Sequence, residues 1–438
     1  MPKVHEPPKE PGEKRNFITE KIVRPSWTKR RLAQCGLLLV LSAVLFGVTA
    51  AVSFAISYPW AVRQFGEPPP EESLISIPKD DPTEEETEAE TARQPETQAV
   101  SLPFEDVVRT AISNYHYTVD DLNDMLGSLR IQVQKMSRGL VVVHSVQQET
   151  DWFDNPVETT TLYSGAIIAA TSQELLVLTP EAAIEQADSI KVTFANGVEV
   201  GGRIKQRDTL SGMAIVAVNT GDMDEATLKV AEPVALGNSY MVREGDLVAA
   251  VGSPAGVAHS VDYGFVSYIK KNEQMVDLVT HVFYSRVGAD ASQGTFFVNT
   301  SGELVGWALE PDQEDEGGHM SRIMGISDYK GILEKLTNGL GAPCIGVEGQ
   351  EVSDLMAERG LPRGIYVLNS VTDRPAYDSG IQNGDIITRV DNREVITMKD
   401  FQNTVDNLEC GQLIHVTVQR NGPDHYAQLE FQLTVGAR

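Results

Sequence analysis

Between residues 132 and 306 the chain breaks into short apolar runs, most of them bounded by turn signals and too short for a helix. Leu140–Val143, Ala166–Ile168, Leu175–Leu178, Ile190–Phe194 and Ala214–Val218 form one group; Leu247–Val251, Gly264–Ile269 and Val276–Val282 form a second. Dipeptides such as Asn196-Gly197 punctuate them. Short β-type runs bounded by turn residues read as strands. So many at close spacing, with few long helical patterns, predict a mainly β architecture of barrels or a sandwich.

The chain has 438 residues, enough for two or three domains, and 41% of them are hydrophobic, which suits a substantial core. The formal net charge is -26. Such a surface repels phosphate backbones, so nucleic acid is not an expected partner, and the charge serves solubility. The three cysteines are Cys35, Cys344 and Cys410, without CxxC or HExxH spacing, so neither a metal nor another cofactor is expected. Cys344 and Cys410 are either a disulfide pair or two buried thiols; spacing alone leaves both open.

Residues 1–34 are polar and interrupted by prolines, and end basic with Arg24, Lys29, Arg30 and Arg31. An uncharged apolar run from Cys35 to Ile56 follows, then Tyr58 and Trp60. The run exceeds the roughly 20 residues that cross a bilayer. Basic residues before it and acidic residues after it predict a cytoplasmic N-terminus and an external bulk. The rival reading is a cleaved signal with Val48-Thr49-Ala50 at the cut; the long polar lead favours an anchor. Residues 58–100 are rich in acidic residues, Pro and Thr and predict an extended, disordered spacer. Residues 101–131 carry two helical patterns, one with Phe104, Val107, Val108 and Ile112 apolar, the other over Val119–Leu129.

The stretch Gly288-Ala289-Asp290-Ala291-Ser292-Gln293-Gly294-Thr295, running into Gly302-Glu303-Leu304-Val305-Gly306, resembles the nucleophile loop of the HtrA/DegP family of trypsin-like serine proteases. Ser164-Gly165-Ala166-Ile167-Ile168, Ala187-Asp188-Ser189-Ile190, Leu236-Gly237-Asn238-Ser239 and Val251-Gly252-Ser253-Pro254 continue the resemblance in order and spacing. The basic tail and single anchor also resemble the membrane-tethered members of Gram-positive bacteria. Serine protease chemistry needs a nucleophile, a base and an orienting carboxylate together. On the family pattern the histidine falls on Ala182, the aspartate on Gly212 and the serine on Gln293. No catalytic residue is therefore expected. Ala291 and Thr295 also replace two glycines of the oxyanion loop. A one-residue slip would make Ser292 the nucleophile, but it would still need a base. His144, His259 and His281 lie outside the family's catalytic context.

From about Pro343 the chain resembles a PDZ domain, on Cys344-Ile345-Gly346-Val347, Ser379-Gly380-Ile381 and Asn383-Gly384-Asp385-Ile386-Ile387. A helix is predicted from Met398 to Leu408 and a strand from Leu413 to Gln419. The resemblance implies that Ile345, Gly346 and Val347 offer backbone N–H groups to a peptide carboxylate. Phe401 and Val405 face either the groove or the core.

The resulting expectation is a mainly β protein: residues 35–57 a transmembrane helix, 132–335 a trypsin-like double β-barrel, and 336–438 an α/β PDZ domain. Its implied role is a membrane-anchored pseudoprotease that binds C-terminal or unfolded peptides as a scaffold, regulator or quality-control factor. A homotrimer follows by family analogy. The alternative is an active endopeptidase with a divergent site.

Overall fold

The computed structural model describes residues 74–82, 118–150, 156–311, 320–423 and 425–438. The apolar run, most of the acidic spacer and the first helical pattern lie outside them. Among the described residues no helix is long and apolar enough to cross a membrane.

Twelve strands close into two barrels. The first contains β1 (Leu140–Thr150), β2 (Pro156–Ala170), β3 (Glu174–Pro180), β4 (Ser189–Thr193), β5 (Glu199–Asp208) and β6 (Met213–Asn219), in the order β1-β2-β3-β6-β5-β4. The second contains β7 (Leu247–Gly252), β8 (Ser260–Met275), β9 (Leu278–Ser285), β10 (Thr295–Val298), β11 (Leu304–Leu309) and β12 (Ser321–Gly325), in the order β10-β11-β12-β9-β8-β7.

The continuous apolar runs have a simple cause. Side chains alternate between the two faces of a strand. In β3, Leu175 and Val177 enter the first barrel's interior, while Leu176 and Leu178 pack into a core shared by both barrels. In β6, Ala214, Val216 and Val218 point to the first core, and Met213, Ile215 and Ala217 to the shared one. From the second barrel, Phe296 and Val298 of β10 join the shared core, while Phe297 faces its own. Strands with both faces covered cannot show a polar alternation. Trp307 and Tyr329, both buried, meet edge to face at 5.0 Å in the shared core.

The C-terminal module adds a two-stranded sheet, β13 (Pro343–Cys344) with β20 (Gly436–Ala437), and a larger sheet in the order β14-β15-β16-β18-β19. These last strands are β14 (Val347–Glu351), β15 (Ile365–Ser370), β16 (Ile386–Val390), β18 (Leu413–Asn421) and β19 (Tyr426–Thr434), with β17 (Arg393–Glu394) paired to β16. Seven α-helices are described: α1 (Val119–Met136), α2 (Ala182–Glu185), α3 (Glu225–Val230), α4 (Lys330–Thr337), α5 (Asp354–Glu358), α6 (Pro375–Ser379) and α7 (Met398–Asp406). Thr397 and Asp400 form a capping box that starts α7. Its Met398, Phe401 and Val405 share one buried face.

Three expectations are corrected. Residues 74–82 are not a free spacer: Ile75 exchanges two 2.8 Å hydrogen bonds with the Asn338 side chain, and Lys330 pairs with Asp80 at 2.8 Å. Ile77 is buried beside α4, because an apolar side chain and a charge partner here offset the cost of ordering. The helix predicted to end at Leu129 continues to Met136, past the 131 boundary, since no Gly or Pro lies between Leu129 and Met136. Cys344 and Cys410 are unpaired, and Cys410 is exposed, so neither cysteine alternative holds in full.

Candidate functional site

Ala182, Gly212 and Gln293, the positions that the family resemblance aligns with a triad, lie where the barrels join. Ala182 opens α2, directly after β3 ends at Pro180. Glu181 N–H donates to the Gly212 carbonyl at 2.8 Å, which brings the second position beside the first. Gly212 adopts a left-handed φ of 66°. The Gln293 carbonyl accepts from Ser164 N–H of β2 at 2.8 Å, and the Gly294 carbonyl accepts from Ser253 N–H at 2.9 Å. The loop is thus tied to both barrels. Beneath it the Ser164 and Ser253 hydroxyls bond each other at 2.8 Å in a buried seam. A Cβ on Gly294 would lie 2.6 Å from the Ser164 carbonyl oxygen, so only glycine fits there.

The loop also closes upon itself. Asp290 Oδ1 accepts from the Gln293 N–H at 3.0 Å and from the Ser292 hydroxyl at 2.7 Å. Thr295 Oγ1 accepts from Asp290 N–H at 3.0 Å and donates back to the Asp290 carbonyl at 2.9 Å. The Gln293 N–H is therefore spent on an internal carboxylate. An oxyanion site needs such donors aimed at the reacting oxygen. Burial raises the Glu181 carboxyl above its usual range, with Arg207 opposing.

Among the described residues no histidine hydrogen-bonds to this loop. His144 Nε2 bonds Thr193 Oγ1 at 2.8 Å, His281 Nδ1 bonds Asp328 Oδ2 at 3.0 Å, and His259 sits at a left-handed φ of 64°. Ser292 is exposed with Asp290 as its hydrogen-bond partner. The His281–Asp328 pair, with Tyr240 donating to Asp328 at 2.6 Å, lines a cavity of about 520 Å³ between the second barrel and α7. No sequence motif marked that cluster; its members are 40 or more residues apart.

The PDZ loop holds a second surprise. Ile345, Gly346 and Val347 point their N–H groups at one spot, and the Asp277 carboxylate fills it. Ile345 N–H donates to Oδ2 at 2.7 Å, Gly346 N–H to Oδ2 at 2.8 Å, and Val347 N–H to Oδ1 at 2.9 Å. Asp277 N–H donates in turn to the Val347 carbonyl at 2.7 Å. Asp277 comes from the tip of the β8–β9 hairpin and is 3% exposed. The strand expected over Val276–Val282 is broken here: Asp277 takes a φ of 60°, and β9 begins at Leu278. Sequence reasoning missed Asp277 because its flanking residues all read as strand. The neighbouring Cys344 thiol is pushed up by burial and by the Asp277 charge.

Phe401 and Val405 lie in the module's core, as do the side chains of Ile345 and Val347. An i, i+4 pair on an amphipathic helix serves the core first.

Two family models match the chain: a trypsin-like peptidase domain over residues 163–306 and a PDZ domain over residues 343–431. The chain is 25% identical over 281 residues to the serine protease Do-like HtrA of Bacillus subtilis, covering 60% of this chain and 61% of that protein. It is 31% identical over 295 residues to a probable periplasmic serine endoprotease DegP-like of Pseudomonas fluorescens, covering 65% and 58%. It is 26% identical over 332 residues to the serine endoprotease DegS of Escherichia coli, covering 72% and 88%. The chain thus spans less than two thirds of the HtrA and DegP-like relatives. Among solved structures, the HtrA-type protease AlgW with decapeptide has a TM-score of 0.50 at 20% identity, over 71% of this chain and 98% of that one. That likeness concerns the fold alone.

Proposed function

This chain is HtrA-like, a trypsin-like peptidase domain followed by a PDZ domain, and from that premise we propose that it holds peptides without cutting them. The observation that carries this reading is the site at the barrel junction. Ala182, Gly212 and Gln293 supply no nucleophile, base or orienting carboxylate, and Asp290 occupies the Gln293 N–H. The PDZ module supplies the binding function, through backbone donors suited to a terminal carboxylate. The apolar run of residues 35–57 would anchor the chain, with the barrels outside the cell membrane. There it would act as a scaffold, a regulator of active proteases or an envelope quality-control factor. A homotrimer is the assembly expected by analogy.

The test is direct. The purified chain should leave fluorescent casein intact and should not react with a fluorophosphonate probe. Ser292 is the one exposed hydroxyl beside the nucleophile position, so it is the residue on which the endopeptidase reading depends. Labelling that vanishes in Ser292→Ala would establish that reading and overturn ours.

A further inference from the structure

We propose that Asp277 is an internal ligand of the PDZ carboxylate loop, and that a peptide with a free C-terminus binds by displacing it. This rests on the reading that the PDZ module binds peptides.

Three consecutive N–H groups aimed at one point make an anion site. Gly346 allows that geometry: its φ is 92°, and a Cβ there would lie 2.2 Å from Arg374 Cβ. The occupant is a carboxylate, the group a peptide C-terminus would bring. The likeness extends along the backbone. Val276 bridges to Glu348 of β14 in the antiparallel sense, and Asp277 N–H bonds the Val347 carbonyl at 2.7 Å. The segment therefore lies along β14 as an added strand whose last residue presents a carboxylate to the loop. β-Augmentation by a peptide places its terminal residues in the same way.

The difference is covalent. The chain continues beyond Asp277, so the side chain supplies the carboxylate. The left-handed turn at Asp277 then carries the backbone away into β9. Val279 of β9 packs against the module's apolar core, so the hairpin meets the module on both of its strands.

A terminal carboxylate and the Asp277 carboxylate are the same chemical group, and both need the same three donors. They cannot share them, because two like charges at one buried site repel. Peptide binding is thus competitive with the hairpin. The apparent affinity falls by the fraction of molecules in which the loop is open.

The experiment titrates the full chain, and its Asp277→Ala and Asp277→Asn variants, with peptides ending in a hydrophobic residue as the free acid or the amide. Free-acid peptides should bind Asp277→Ala at least tenfold more tightly than the unaltered chain, Asp277→Asn between the two, and amides weakly throughout. Hydrogen exchange gives a second readout. Asp277→Ala should speed exchange at Ile345–Val347, and free-acid peptide added to the unaltered chain should speed it at Val276–Val279. Equal affinity of all three proteins for free-acid peptide, with the amide still weak, would overturn this inference and leave the peptide-binding reading standing. No preference for acid over amide in any protein would overturn carboxylate capture itself. Should the variants fail to fold, the exchange of Val276–Val279 in the unaltered chain decides: no rise on adding free-acid peptide refutes displacement.

Discussion

Arg438 Nε donates to Asp208 Oδ2 at 3.0 Å, joining the last residue of the PDZ module to the end of β5 in the first barrel. The side chains are 4% and 0% exposed. The Tyr329 hydroxyl donates to the same carboxylate, and Arg438 Nη1 reaches the Val276 carbonyl at 3.0 Å. Burial alone would pull the guanidinium's pKa down; Asp208, Tyr329 and Asp277 outweigh it and raise the value. Removing one partner of a buried pair leaves the other charge uncompensated, a loss of about 3–5 kcal/mol. Arg438→Ala should therefore lower the denaturant midpoint strongly. In a double-mutant cycle, adding Asp208→Asn should cost far less than in the unaltered chain. Additive losses would show that the two residues act independently.

Gly346 should tolerate no side chain. At a φ of 92°, with Arg374 Cβ 2.2 Å from any added Cβ, alanine is strained and also displaces Arg374. Arg374 bonds the Ala437 carbonyl and Thr209 Oγ1, both at 2.9 Å, so these contacts go too. The expected loss exceeds about 1 kcal/mol, read as a drop in melting temperature. An unchanged melt would mean that the loop relaxes freely.

On our reading that Ala182, Gly212 and Gln293 leave the site without its catalytic groups, repair of one position alone should fail. Gln293→Ser restores a hydroxyl but no base, so it should remain unlabelled by fluorophosphonate. Adding Ala182→His and Gly212→Asp brings the missing groups. Gly212 has a φ of 66° and open space around its Cβ position, and aspartate is among the residues that bear that backbone best. The triple variant should fold, yet stay slow while Asp290 holds the Gln293-position N–H. Fast casein hydrolysis by the single variant would count decisively against this account.

Asp406 gives a pH signature. Burial raises its carboxyl above the ordinary value, opposed by Lys79, Lys335 and Arg438. A raised folded pKa means the folded state binds the proton more tightly. The resulting stability is complete below the unfolded value, about 3.9, and is lost as pH rises through the folded value. Asp406→Asn should thus be at least as stable as the unaltered chain at neutral pH. It should gain less on acidification through that window. Denaturant melts across that range would show parallel curves if the carboxyl did not titrate there.

Topology is testable without purification. Arg24, Lys29, Arg30 and Arg31 before the apolar run should keep the N-terminus inside. Protease added to intact protoplasts should digest the barrels and the PDZ module. Cleavage that waits for lysis would place them inside instead.

Much of this protein was legible in its residues. The runs that became β3 and β6 stand out because a strand buried on both faces must be apolar at every position, and that is a local property. The residues Ala182, Gly212 and Gln293 could also be read directly, since each sits inside a motif with its own local context. Other features had no local sign. Thr295 reads as a departure from the family loop, yet it pairs with Asp290 to close it. Phe401 and Val405 were placed in the core only by the sheet packed beneath α7.

Asp277 marks the boundary between the two kinds of knowledge. The sequence alone determined strands and turns, because side-chain periodicity and residue chemistry are carried by neighbours in the chain. The sequence around Val276–Val282 gave no hint that this carboxylate would reach Ile345, 68 residues away, rather than water. Which donor meets which acceptor across that separation depends on how two domains pack. A buried carboxylate is stable only where such packing supplies its hydrogen bonds, so tertiary structure alone decided that the PDZ loop would be filled from within.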